Sequence, residues 1–166
     1  MSGDSSKKIK ICIEKSVKKI SREVISRGKR SANALRNAEL QVLSGQRSGK
    51  VYKKPGTYGK SRSKATRELI GEYGHQLRGG QLYRASAPGE APARRNGDLR
   101  KSFASYTETS PRGGNGITVS AGIRSNTEYA DVLERGSARM ARRPYREAII
   151  EKARPEIERI FSEPYL

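Results

Sequence analysis

The sequence predicts an α+β fold: a long N-terminal helix and a kinked C-terminal helix packed on a small antiparallel sheet, with a long basic loop. Three patterns lead there. Apolar or small residues recur in helical steps from Ile13 to Val42, two short central runs alternate in polarity, and helical spacing returns from Ile149 to Phe161. At 166 residues the chain suits a single domain, 1–166. Within it we expect a helix over 1–44, a basic glycine-rich extended loop over 45–84, and the sheet with the C-terminal helices over 85–166.

Met1 to Ser6 reads as a frayed terminus. The stripe Ile13, Val17, Ile20, Val24, Gly28, Ser31, Leu35, Ala38 and Val42 makes one amphipathic helix from about Lys10 to Leu43. Such a helix is about 50 Å long, more than a small domain is wide, so one end should project or lie against a neighbouring subunit. Gly28 and Ser31 interrupt the stripe with small side chains, which suits a bend, a close helix contact or packing under a large neighbour. The opposite face carries Lys15, Lys18, Lys19, Arg22, Lys29 and Arg30, either a solvated face or a track for phosphates. Cys12 lies near the stripe and reads as a small core residue; as the only cysteine it allows no intramolecular disulfide, which fits a reducing compartment.

Residues 45–84 change character. Glycines are scattered among Lys50, Lys53, Lys54, Lys60, Arg62 and Lys64, with Tyr52, Tyr58 and Tyr73 interleaved. Fixing about forty such residues costs about 1 to 2 kcal/mol each in backbone entropy, and there is little apolar surface to offset it. The segment is therefore expected to become ordered against a partner, with the tyrosines as anchors and the cations as attraction, the partner being acidic protein or DNA. Lys64 to Tyr73 has the makings of one or two helical turns, with Leu69 and Ile70 docking. Gly45 to Val51 superficially matches a phosphate loop, but the spacing before Gly49-Lys50 is short and Val51 stands where Ser or Thr is required, which excludes nucleotide hydrolysis of that type. His75, the sole histidine, has neither a metal-ligating companion nor a nucleophile pattern near it. No catalytic residue, metal or cofactor is expected.

Pro88 and Pro92 make Ala85 to Ala93 a rigid extended connector. Asp98 to Glu108 reads as a strand with Leu99 and Phe103 inward, and Ile117, Val119, Ala121 and Ile123 alternate as a second. Thr109 to Gly116 is their hairpin loop. In the next segment Asn126 and Thr127 cap a helix whose apolar side is Tyr129, Val132 and Leu133. Gly136 ends it in the left-handed conformation, and Pro144 starts the following helix. The turn brings Glu134 within reach of Arg142 and Arg143 as an ion pair. Ile149, Ile150, Ala153, Ile157, Ile160 and Phe161 continue the last helix, which Pro155 should kink or divide.

Composition bounds the function. Only 33% of residues are hydrophobic and Trp is absent, so the core is small and surfaces for partners are expected. The formal charge of +18 is uneven: residues 1–100 hold 24 basic and 8 acidic side chains, net +16, and residues 101–166 hold 11 and 9, net +2. A field of that sign attracts nucleic acid, anionic membranes or acidic proteins. No apolar run reaches the length of a membrane span, and no signal peptide is expected.

The order Tyr129-Ala130, Leu133-Glu134, Gly136-Ser137, Met140, Arg143-Pro144-Tyr145 and Ala148 resembles the C-terminal signature of a neck protein family of long-tailed bacteriophages, the head-to-tail joining or tail-completion proteins. Ala85-Ser86-Ala87-Pro88-Gly89-Glu90-Ala91-Pro92, followed by Gly97, Leu99 and Ser102, is similar to the same family's second signature. The resemblance covers roughly Ala85 to Phe161. It departs at Ser137, where the family usually has threonine, and at Arg95-Asn96-Gly97, where it has acid-Thr-Gly; the second departure changes the local charge.

The resemblance implies a structural protein of the virion, not an enzyme, made in the bacterial cytoplasm and built as a ring between head connector and tail tube. Its partners would be copies of itself, the head connector and the tail terminator or tail tube proteins, with packaged DNA within reach and no membrane. The positions carrying the signatures are Pro88, Gly89, Gly97, Leu99, Tyr129, Glu134, Gly136, Arg143, Pro144 and Tyr145. The alternatives are a basic nucleic-acid-binding protein, which the charge would explain directly, and a tail-terminator-type ring protein. A small basic ribonuclease lacks a convincing acid and base pair.

Overall fold

Helix α1 is longer than its stripe, running from Ser2 to Val42. After it come strands β1 (Val51–Lys53) and β2 (Leu82–Arg84), a short helix α2 (Asp98–Ser102), strands β3 (Phe103–Arg112) and β4 (Gly116–Ser125), and helices α3 (Tyr129–Arg135) and α4 (Arg146–Ser162). The computed structural model describes residues 2–54, Thr66, 80–113 and 116–165. The turns expected over Lys64 to Tyr73, and the positions Tyr58, Lys60, Arg62, Lys64 and His75, lie outside the described residues. The fold is α+β with two two-stranded antiparallel sheets, β1-β2 and β3-β4.

The chain groups into two units. One comprises Met1–Ala38, Phe103–Arg124 and Ile150–Leu166, and the other comprises Glu39–Ser102 and Ser125–Ile149.

In the first unit α1 lies on the β3-β4 hairpin at Gly28, where a Cβ would stand 2.8 Å from Val119 Cγ1 and 3.5 Å from Ala121. Glycine permits this approach because it has no side chain to place there. Ile117, Val119, Ala121 and Ile123 are half-buried as their alternation predicts, while Thr118, Ser120 and Arg124 face solvent. Between them Gly122 is covered by the Tyr106 ring, whose hydroxyl and Cε1 lie 3.0 and 3.1 Å from where its Cβ would be. Arg124 sits over the same ring at 4.9 Å. The strands differ from expectation at both ends. Asp98 to Ser102 is helical rather than extended: the chain turns at Gly97 (φ 86), Asp98 sits in the first turn, where an acid suits the helix dipole, and the Lys101 amide bonds the Gly97 carbonyl at 2.9 Å. β3 in turn absorbs Thr109 to Arg112, and Pro111 is tolerated there because a two-stranded sheet has only edges.

Helix α4 is a single element with Pro155 inside it, so the expected division does not occur. Pro155 and Glu151 are both exposed, which leaves the Glu151 carbonyl, deprived of its amide partner, to water. The end of α4 is secured by α1. Arg27, fully buried, donates to the carbonyls of Phe161 (3.4 Å) and Pro164 (2.8 Å) and lies 3.7 Å over the Tyr165 ring. Arg30 forms a two-pronged pair with Glu163 at 2.9 and 2.6 Å. It belongs to a tail clamp as well as to the basic face.

In the second unit β1 and β2 pair Val51 with Arg84, Tyr52 with Tyr83 and Lys53 with Leu82. The ladder continues outward through Gly49 N–H to the Ala85 carbonyl (3.1 Å), Ala85 N–H to Lys50 (2.9 Å) and Lys54 N–H to Gln81 (2.6 Å). Residues 45–84 are therefore not a loop throughout, since their two ends pair as strands. The Arg47 guanidinium closes the end of α1, donating to the Val42 carbonyl at 2.7 Å and to Pro92 at 3.1 Å.

Candidate functional site

Ala87-Pro88-Gly89-Glu90 is a tight turn, with Glu90 N–H bonded to the Ala87 carbonyl at 3.1 Å and Gly89 at φ 83. Proline then glycine at the two central positions is the type II pattern, so the expected extended connector bends here. The Glu90 carboxylate holds the turn against the start of β1. It accepts from Ser48 Oγ (2.6 Å), Ser48 N–H (3.1 Å) and Ala87 N–H (2.8 Å). These bonds, the Ser48 hydroxyl foremost, bring its pKa down to about 2.

Helix α3 begins at Glu128 without a side-chain cap; Thr127 Oγ1 is engaged instead with Ser125 Oγ at 2.9 Å, itself 2.8 Å from Ser102 Oγ. Nor is the apolar face the expected one: Ala130 is buried and Leu133 half-buried, while Tyr129 and Val132 are each 44% exposed. Gly136 ends α3 with its N–H on the Val132 carbonyl at 2.8 Å, at φ 83 and ψ −178. The positive φ is as expected, but the ψ lies outside the left-handed helical region, in one that only glycine occupies readily. Ser137 and Met140 exchange backbone bonds of 2.9 and 3.2 Å, and the loop returns so closely that a Cβ on Gly136 would stand 2.8 Å from Arg142 N.

Glu134 and Arg143 do not form the expected ion pair. The Glu134 carboxylate accepts from the backbone N–H of Tyr145 (2.9 Å) and Arg146 (3.2 Å), so an acid at the end of α3 caps the start of α4. Arg143 turns the other way and donates to the carbonyl and hydroxyl of Ser86. Pro144 precedes the first turn of α4 rather than occupying it. Tyr145 is 1% exposed and its hydroxyl donates to the Ala130 carbonyl at 3.0 Å. Burial pushes that phenol's pKa up. Gly89 N–H also reaches the Arg142 carbonyl, at 3.2 Å.

Thus all ten signature positions fall in one unit. Four of them, Gly97, Leu99, Tyr129 and Arg143, line a cleft of about 470 Å³ in that unit. Leu99, buried, and Leu133 lie in its wall with Leu43 and Met140, while Tyr129, Gly97 and Arg143 stand along it. Of the basic candidates, Lys50 is exposed, Lys53 and Lys54 are half-buried, and Tyr52 is 49% exposed with its ring 6.1 Å from that of Tyr83. Lys50, Tyr52 and Lys53 are set by the ladder rather than by a free loop.

Sequence reasoning missed Ser86, Glu90 and Arg47 as structural hydrogen-bonding residues, and Arg27 altogether. Arg27 had a signal. It falls in line with Val24 and Ser31 on the inward stripe, where a cation needs a buried acceptor. Among the described residues no group of three or more His, Cys, Asp or Glu side chains is placed to hold a metal. No helix there is long and apolar enough to cross a membrane. Comparison with known protein families, curated proteins and solved structures gives no match.

Proposed function

We propose that this chain is a structural protein of a phage neck, a head-to-tail joining or tail-completion protein that assembles as a ring and works through its surfaces. The observation that carries the reading is the way its two signature segments meet. Ala85–Pro92 and Tyr129–Ala148 are far apart in sequence, yet Arg143 bonds Ser86 and the Gly89 amide bonds Arg142. Residues with no evident catalytic chemistry are thus spent on fixing one turn against another, as expected of a scaffold that presents surfaces. The exposed isoleucines of α1, Ile9, Ile11 and Ile13, offer one such surface to a neighbouring subunit.

The test is reconstitution. In a phage lacking this chain, filled heads and tails should accumulate unjoined, and the purified protein should restore infectious particles when added to them. Joined particles formed equally well without it would overturn the reading.

One observation favours a second reading. Lys15, Lys18, Lys19, Arg22 and Lys29 are all exposed on α1, as a phosphate-tracking face requires. A nucleic-acid-binding protein should hold duplex DNA by itself, with log affinity falling steeply against log salt.

A further inference from the structure

The second unit holds a cleft of about 470 Å³, within the size range of ligand sites. Its wall is aliphatic, with Leu43, Leu99, Leu133 and Met140. Tyr83 and Tyr129 flank it, and Tyr129 is 44% exposed. The cleft also carries four arginines against the single carboxylate of Asp98. Two of the four are engaged, Arg100 with Ser44 Oγ at 2.9 Å and Arg143 with Ser86. Arg94 and Arg95 are exposed at the cleft, and neither guanidinium makes an ion pair or hydrogen bond among the described residues.

An occupant must therefore bring two things close together, an apolar side chain for the wall and negative charge for the arginines. Nucleic acid supplies the charge, but its phosphates leave aliphatic walls uncovered. A second copy of this chain, at net +18, brings the wrong sign. We propose that the cleft binds an extended acidic peptide segment of another protein, one large apolar side chain resting between Leu133 and Leu99 and its flanking carboxylates on Arg94 and Arg95. Arginine suits that role, since its planar fork pairs with carboxylates in two-pronged fashion. The inference does not rest on the neck reading, because binding is measured on the isolated chain and reconstitution is measured on particles.

The full chain is titrated by fluorescence anisotropy against a labelled acidic hexapeptide with Leu-Phe at its centre. Two control peptides are used, one with Ala-Ala at the centre and one with Asn and Gln in place of the acids, together with a short oligothymidylate. The acidic Leu-Phe probe should bind with Kd below about 1 mM and each control peptide about tenfold more weakly or worse. The Arg94→Ala/Arg95→Ala variant should lose about tenfold in affinity for that probe while melting at the wild-type temperature. Tyr129→Ser, which removes one flank without touching the charge, should weaken it independently. Absence of binding by the Leu-Phe probe overturns the proposal. So does equal binding of the Ala-Ala peptide, which would reduce the site to charge attraction. Tighter binding of oligothymidylate through the same two arginines would assign the cleft to nucleic acid, and a concentration-dependent dimer broken by the same variant would assign it to a second copy; either result overturns it.

Discussion

At Gly136 the chain needs a conformation, not merely a small residue. Its φ of 83 and ψ of −178 lie where asparagine gains nothing over alanine, and a Cβ would stand 2.8 Å from Arg142 N and 3.0 Å from the Met140 carbonyl. Gly136→Ala and Gly136→Asn should each lose about 2 kcal/mol or more in urea unfolding. An asparagine variant as stable as wild type would place the residue in the left-handed helical region instead. Glu90 gives a prediction in pH. Its pKa is lowered from 4.5 to about 2 in the fold, so the folded state prefers the ionised form. Its contribution is complete above the unfolded value and is lost as pH falls toward the folded one. Glu90→Gln does not titrate, so its melting temperature should fall less steeply than that of wild type between about pH 5 and pH 2. Parallel profiles would mean the carboxylate's bonds to Ser48 and Ala87 contribute nothing. A positive φ at Gly136 was legible in the sequence, because glycine follows a helical run. Its ψ, and the partner of Glu134, were not: a carboxylate near two arginines reads as an ion pair until the backbone amides of Tyr145 and Arg146 are seen to arrive first.

Elements were legible where one side of them faces a core. From Val17 onward the stripe on α1, like the alternation from Ile117 to Ile123, predicted which residues turn inward, and Gly28 marks the place where helix and hairpin touch. Ile13, the first residue of the stripe, and Cys12, expected in the core, are exposed instead. The boundaries failed where local chemistry outweighed polarity, as at Asp98, whose place after a glycine turn favours a helix start over a strand. Contacts between elements left the faintest trace in the sequence. Arg27 and Arg30 meet Glu163 and the tail carbonyls more than a hundred residues away, and no periodicity encodes that pairing. The clamp predicts a specific loss. Arg27→Ala leaves the Phe161 and Pro164 carbonyls without their donor and should destabilise the chain by about 2 to 3 kcal/mol, with faster amide exchange over residues 161–165. Tyr165→Ala removes only the stacked ring and should cost about 1 kcal/mol or less. If exchange in the tail is unchanged in Arg27→Ala, the guanidinium does not hold it.

At the largest scale the notable feature is an amphipathic helix whose apolar side is exposed, among the described residues, over its N-terminal part. Every residue from Ser6 to Ser16 is exposed, and Ile9, Ile11 and Ile13 are 60%, 51% and 58% exposed. A helix of about a dozen residues is marginal alone, so this stretch owes its order to being continuous with the packed part of α1. Ile9 and Ile13 prolong the line of Val17 and Ile20, both half-buried, which makes the exposed surface an extension of the core stripe. Exposed residues contribute little to folding, so the isoleucines should matter to assembly and not to stability. Replacing Ile9, Ile11 and Ile13 together by Ser should change unfolding free energy by no more than about 0.5 kcal/mol per site. On the proposed neck reading, the same variant should fail to join heads to tails and should sediment as a smaller species than wild type. DNA affinity supplies the contrast: on the nucleic-acid reading, phosphate contacts would depend on the exposed Lys15, Lys18 and Lys19 and should survive loss of the isoleucines with the salt slope intact. A variant that assembles as wild type does would remove this face of α1 from the ring interface, and a collapse in thermal stability would show that it is already buried within the folded chain.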